Sequence, residues 1–122
     1  MAKKATTIRN KIRDFSLGLP EAYEDFPWGE RVTKVNKKVF VFLGMDDGDT
    51  PGCSLKLNES HAQAMAVRGA EPTGYGLGKA GWVSLPLHGD IPPVEVLLDW
   101  VEESYRMVAP KRLIAFLDAD RS

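Results

Sequence analysis

The chain has 122 residues, with 16 lysines and arginines against 17 aspartates and glutamates, so its net charge is −1. This length fits a single domain, residues 1–122, and no apolar run approaches the roughly 20 residues that span a bilayer. The single cysteine excludes an internal disulfide framework and fits a reducing compartment. We therefore expect a cytoplasmic protein with no membrane partner, and we favour a monomer.

The first part of the sequence predicts a helix followed by a β-hairpin. Apolar residues recur at helical spacing over 6–17, and the glycine and proline of 18–20 end that helix. From Val32 the pattern changes to the period of strands, with a turn at 36–37. The second arm of the hairpin, VFVFL at 39–43, is apolar on both faces and is expected at the centre of a sheet.

The middle of the sequence predicts a third strand and a short helix. Residues 46–52, DDGDTPG, have the composition of a turn, and CSLKLN at 53–58 follows with strand alternation. A helix is expected over 59–68, because Ser60 and Gln63 have the spacing of a capping box.

The last part of the sequence predicts one more strand and two helices. WVSLPL at 82–87 has strand composition, and Pro86 indicates either an edge position or an early end. A long helix with an apolar stripe begins after Pro93 and ends before Pro110, and 111–119 add a short helical segment. This order of elements predicts an α+β fold in which helices cover an antiparallel sheet.

A glycine-rich stretch, GYGLGKAGW at 74–82, lies between the short helix and the last strand. Residues 76–81 match G-x-G-x-x-G in form, but that dinucleotide motif requires a helix after it, whereas here a strand follows. A P-loop would need serine or threonine at position 80, which is alanine. We expect an irregular turn that displays Lys79 and leads to an inward-packed Trp82.

Catalytic and metal-binding motifs have little support in the sequence. Cys53 is expected to be a small buried residue, although a dyad with His61 or His88 stays open. Glu24 and Asp25 are adjacent, and adjacent side chains of an extended segment point apart. Two histidines and one cysteine without cluster spacing indicate no metal site. We expect no enzymatic activity, no metal and no cofactor.

Two β segments bring cationic side chains close to aromatic rings, and cations neutralise phosphates while rings stack on bases. The first hypothesis is a DNA-binding protein of low sequence specificity. The alternative is a non-enzymatic module for a small ligand or peptide, whose aromatic- and glycine-lined pocket near Trp82 takes an anionic group. Solvated lysines and a core tryptophan are the simplest interpretation of the same residues. The residues concerned are Trp28, Arg31, Lys34, Lys37 and Lys38 in the first segment and Lys56, Tyr75, Lys79 and Trp82 in the second.

Four stretches taken together resemble the MmcQ/YjbR family. They are YEDFPWGERVTKVNKKVFVF at 23–42, SLKLN at 54–58, GYGLGKAGWVSL at 74–85 and LLDWVEESYRMVAPKRL at 97–113. Each is unspecific by itself, and the resemblance rests on their order and spacing.

The resemblance implies an α+β fold with a double-wing arrangement of hairpins, for which DNA binding has been proposed by analogy. The family's usual loop is roughly Gly-Tyr-His-Leu-Asn-Lys-x-His-Trp. This chain departs from it, since Gly76, Gly78 and Gly81 replace the polar residues, while Lys79 and Trp82 are retained.

Overall fold

The structure, a computed structural model, describes residues 2–45, 52–74 and 76–120. These residues form a six-stranded antiparallel sheet and four α-helices, which confirms the predicted α+β fold. Within these ranges, none of the helices combines the length and the apolar character needed to cross a bilayer.

The strands are β1 Tyr23–Asp25, β2 Glu30–Val35, β3 Lys38–Met45, β4 Gly52–Lys56, β5 Glu71–Pro72 and β6 Trp82–Pro86. Their order in the sheet is β1-β2-β3-β4-β6-β5. β3 pairs on both sides, as its two-sided apolar sequence predicts. Asn36 and Lys37 join β2 to β3, and both have positive φ, which gives the tight turn that suits adjacent antiparallel strands.

The helices are α1 Ala2–Leu17, α2 His61–Met65, α3 Val94–Val108 and α4 Lys111–Asp120, and 3₁₀ helices cover Pro27–Gly29 and Leu77–Ala80. Buried side chains of α1, α3 and α4 form one core with those of β2, β3, β4 and β6. Tyr105 on α3 is fully buried there. Its ring meets Phe40 edge-on at 5.3 Å between centroids, and its hydroxyl donates to the Pro20 carbonyl at 2.8 Å. The long helices therefore cover one face of the sheet.

A β-bulge adapts β3 to this helix layer. Thr33 pairs with Val41 and Lys34 with Val39, so Phe40 has no partner of its own on β2. Both Phe40 and Val41 are fully buried in the core. The bulge sends two consecutive side chains into the core, which strict alternation would not allow.

The second helix differs from its prediction. α2 covers His61–Met65 rather than 59–68, and Ser60 makes no side-chain capping hydrogen bond. In a capping box the residue at the third helical position, here Gln63, accepts a hydrogen bond from the N-cap N–H. In this protein the N–H of Ser60 donates to Glu103 instead. The predicted capping box is therefore wrong, because a residue distant in sequence takes its place.

The remaining differences concern element ends and short strands. β6 ends at Pro86, which was one of the two predicted alternatives, but it lies between β4 and β5 rather than at the edge. β1 and β5 were not predicted from the sequence, because three and two residues are too few to show a period. The first helix begins at Ala2 rather than at residue 6. Most of the turn predicted at 46–52 lies outside the described residues.

Candidate functional site

The register of the sheet brings lysines from different strands to one end. The last pair of β2 and β3 before their connecting turn is Val35 with Lys38, so Lys37 lies in the turn at this end of the sheet. β3 begins here and β4 ends here, because the two strands are antiparallel.

The second cationic segment reaches the same end. β3 and β4 pair through Val41 and Leu55, which places Lys56 beside the start of β3. Lys56 in turn pairs with Trp82, the first residue of β6, and the 3₁₀ helix that carries Lys79 directly precedes that strand. We refer to Lys37, Lys38, Lys56 and Lys79 together as the lysine end.

The ammonium groups of the lysine end are directed largely to solvent. Lys37, Lys38 and Lys79 are exposed, and Lys56 is half-buried. In the described part of the chain, none of these four lysines forms an ion pair. Their charge is therefore available to an external anion.

Two other cations of the same hairpin are engaged inside the protein. Arg31 Nη1 lies 2.6 Å from Glu24 Oε2, and its guanidinium lies 5.0 Å from the centre of the Phe26 ring. Lys34 Nζ lies 2.8 Å from Asp25 Oδ2, and this hydrogen bond is the main cause that lowers the pKa of Asp25 and raises that of Lys34. Glu24 and Asp25 thus point to different partners, as expected of adjacent strand residues. We refer to Glu24, Asp25, Arg31 and Lys34 as the first wing.

Trp82 is buried on the sheet face that lies away from the long helices. It is 7% exposed, yet neither it nor the fully buried Val32 belongs to the main core. Its ring meets Phe42 edge-on, with centroids 5.1 Å apart. Trp82 therefore packs inward, as predicted, and offers little ring surface for stacking on a base. Tyr75 and the side chain of Trp28 lie outside the described residues.

Residues 76–81 of the glycine-rich stretch form an irregular turn that packs closely on the end of β4. Gly76 and Gly81 flank the 3₁₀ helix Leu77–Ala80 with φ of 78° and 99°. The N–H of Leu57 donates to the Gly81 carbonyl at 2.9 Å, and a Cβ at Gly81 would lie 2.5 Å from the Leu57 carbonyl oxygen. The histidine that the usual family loop has at the position of Gly81 would not fit this backbone.

A buried serine of α3 bonds to two strands beside the lysine end. The Ser104 hydroxyl accepts a hydrogen bond from the N–H of Lys56 at 2.9 Å and donates one to the Phe40 carbonyl at 2.6 Å. Ser104 has no solvent exposure. The helix is therefore hydrogen-bonded to β3 and to β4 through one side chain.

The preceding residue of α3 holds the turn that follows β4. Glu103 Oε2 accepts hydrogen bonds from the N–H groups of Asn58 at 2.8 Å and Ser60 at 3.1 Å. Burial acts to raise the pKa of Glu103. The hydrogen bonds that it receives from residues 58–60 outweigh this effect, so its pKa lies below the usual value.

The contacts of Ser104 and Glu103 were not predicted from the sequence. Ser104 had a detectable signal, since a serine stands in the apolar stripe of α3 between Val101 and Tyr105. Glu103 had none, because one more acidic residue on an acidic helix looks like solvated surface.

A groove of about 370 Å³ lies between α3 and the turn after β4. Its charged lining residues are Glu59, Asp99, Glu102, Glu103 and Arg106. Arg106 is bound to Asp118 and to Glu102, and the hydrogen bonds to these carboxylates hold its pKa above the usual range. The groove is acidic and does not include Trp82 or Lys79, so it is not the pocket that the small-ligand alternative expects.

Cys53 is a buried residue of the core, with 4% exposure and no disulfide partner. Burial raises the pKa of its thiol to about 12, so the thiol is protonated at neutral pH. A nucleophilic cysteine reacts as the thiolate. The buried interpretation of Cys53 is therefore confirmed, and the dyad with His61 or His88 has no support.

Comparisons with known proteins identify a family and a solved structure of the same fold. The family model YjbR matches residues 17–107. A crystal structure of a protein from Pseudomonas syringae, determined by the Northeast Structural Genomics Consortium, matches with a TM-score of 0.61 and 20% identity, over 82% of this chain and 97% of that chain. At this identity the likeness shows the fold alone. No curated protein matches this chain.

Proposed function

This chain belongs to the YjbR family, and from that premise we propose that it binds duplex DNA weakly, with low sequence specificity, through the lysine end. The supporting observation is the register that gathers Lys37, Lys38, Lys56 and Lys79 at one end of the sheet, with three of them exposed. Lysines that neutralise phosphates release condensed counterions, and this release drives non-specific binding.

Low specificity follows from the chemistry of these side chains. Lysines act as point charges on phosphates, which positions a duplex without reading its bases. Trp82, which pairs with Lys56, is buried. The carboxylates of the α3 groove, including Glu59, would repel phosphates, so we expect the duplex to lie on the side of the lysine end away from α3.

The experiment is a fluorescence titration of a labelled duplex of about 20 base pairs at salt concentrations between about 50 and 200 mM. We expect a dissociation constant of about 10⁻⁴–10⁻⁶ M at physiological salt, and a salt slope that grows by about 0.9 for each phosphate contact. A Lys37→Ala/Lys38→Ala/Lys79→Ala variant should lose most of this slope and keep its fold, because all three side chains are exposed.

The matched control removes the same charge elsewhere. Lys11, Arg68 and Lys111 are also exposed and lie on or after helices, so a Lys11→Ala/Arg68→Ala/Lys111→Ala variant has the same net charge as the test variant. Equal losses in both variants would mean that only net charge matters. Absence of binding by the natural protein at low salt would overturn the proposal. Salt-insensitive binding of a mononucleotide would favour the small-ligand alternative.

A further inference from the structure

The sheet is bridged by a helix residue at the lysine end. Continuing the register of β3 and β4 by one residue beyond Val41 and Leu55 brings Phe40 opposite Lys56. The Phe40 carbonyl and the Lys56 N–H both bond to the Ser104 hydroxyl. One side chain of α3 thus supplies a connection between two strands where the regular ladder stops.

The next turn of the chain is held by the same helix. The N–H groups of Asn58 and Ser60 both donate to Glu103, which precedes Ser104. Two consecutive residues of α3 therefore bind four backbone groups. One belongs to Lys56 itself, two lie in the turn that follows it, and the fourth lies near the start of the strand that carries Lys38.

We propose that Ser104 and Glu103 are positioning residues of the lysine end, which hold the backbone of Lys56 against the start of β3 so that Lys56 and Lys38 can contact the same duplex. This inference rests on the proposed function and deepens it, because it makes DNA affinity depend on two residues that DNA does not touch. Ser104 has no solvent exposure and acts only through the backbone of Lys56 and Phe40.

The role of Ser104 depends on the hydroxyl group of serine. Its hydroxyl accepts one hydrogen bond and donates another at the same time, which alanine cannot do. Threonine offers the same hydroxyl donor and acceptor and adds one methyl group. The Ser104→Ala and Ser104→Thr variants therefore separate the hydroxyl from the other properties of the site.

The test compares the salt slope of duplex binding among variants that are confirmed to be folded. Ser104→Ala should lower the slope by about 0.9, the value of one phosphate contact, whereas Ser104→Thr should keep it. The matched control is Ser54→Ala, which removes a hydroxyl of β4 whose hydrogen bond goes to Ser84 on β6 rather than to α3. A loss of stability that leaves the variant folded at every salt concentration used keeps the folded fraction near one, so it does not change the slope.

Glu103→Ala provides a second variant in case Ser104→Ala does not fold. Removal of a carboxylate near the lysine end would by itself strengthen DNA binding. A lower salt slope in Glu103→Ala therefore reports lost positioning.

The duplex-binding measurements distinguish failure of the positioning role from failure of the proposed function. If the natural protein binds DNA and neither Ser104→Ala nor Glu103→Ala changes the slope, the positioning role is wrong and the proposed function stands. If Ser54→Ala lowers the slope as much as Ser104→Ala, the role of α3 is likewise overturned. If the natural protein does not bind DNA at low salt, the proposed function and this inference both fall.

Discussion

The first wing and the lysine end each take two cations from one basic stretch of sequence, residues 31–38, but these cations have different surroundings. In the first wing, Glu24 and Asp25 of β1 face Arg31 and Lys34 across the strand pair and neutralise them. At the lysine end no ion pair engages the ammonium groups within the described ranges. A run of basic residues therefore locates cations without telling which of them are available to a partner.

The strand that makes this difference, β1, is one of the two that sequence periodicity did not detect. β1 has three residues, and its register places Glu24 opposite Thr33 and Asp25 opposite Val32. Each carboxylate reaches diagonally to the cation on the same side of the strand pair. A three-residue strand thus decides that half of the basic hairpin is structural.

The largest expected effect concerns the apolar support of the lysine end. Trp82 is buried against Phe42 and begins β6 next to Lys56. We expect Trp82→Ala to lower the free energy of unfolding by about 3–5 kcal/mol, because it removes a large buried aromatic side chain. Denaturant unfolding measures this value. Phe116→Ala is the control, since Phe116 is 64% exposed and its loss should change stability by about 0.5 kcal/mol or less. An unchanged stability of Trp82→Ala would place this ring on the surface.

A smaller effect is expected from converting the first wing into a second available surface. Asp25→Asn removes the carboxylate that engages Lys34 and should raise the salt slope of duplex binding by up to about 0.9. Asp120→Asn, on the exposed end of α4, makes the same change of net charge as a control. If both variants bind alike, release of Lys34 has no effect, and the contrast between the first wing and the lysine end does not extend to binding.

The smallest effect concerns the pH dependence of the turn that Glu103 holds. The folded pKa of Glu103 lies below its ordinary value of 4.5, so its carboxylate stabilises the folded protein above about pH 4.5. This contribution is lost as the pH falls through the folded pKa. At neutral pH, Glu103→Gln should be less stable than the natural protein by about 1 kcal/mol, since a neutral acceptor forms weaker hydrogen bonds than a carboxylate.

Urea unfolding at neutral and acidic pH checks the sign of this effect. The difference between Glu103→Gln and the natural protein should shrink as the pH falls below about 4.5. Glu71→Gln, at an exposed position of β5, should show no comparable change. A difference that grows on acidification would contradict the hydrogen-bonding role of the Glu103 carboxylate.

Much of the fold could be predicted from local pattern. The apolar periods of residues 6–17 and of the segment between Pro93 and Pro110 correspond to α1 and α3, and the two-sided apolar run at 39–43 lies in the central strand. These elements are long enough for their buried apolar residues to recur at a recognisable period. β1 and β5 were missed because they are too short to show a period, and α2 was misjudged because the distant Glu103 binds the N–H of Ser60.

The sequence by itself determined the α+β class, the turn at Asn36 and Lys37 and the family resemblance, and it favoured a buried Cys53. It also supplied every lysine of the proposed interface. Only the tertiary structure decided which cations are neutralised and which are not, since the ion pairs of Arg31 and Lys34 depend on the register of β1 against β2. The same holds for Ser104 and Glu103, whose roles depend on backbone groups more than 40 residues away. Local periodicity records burial, whereas the pairing of charges and hydrogen-bonding groups is defined by distances that exist only in the folded chain.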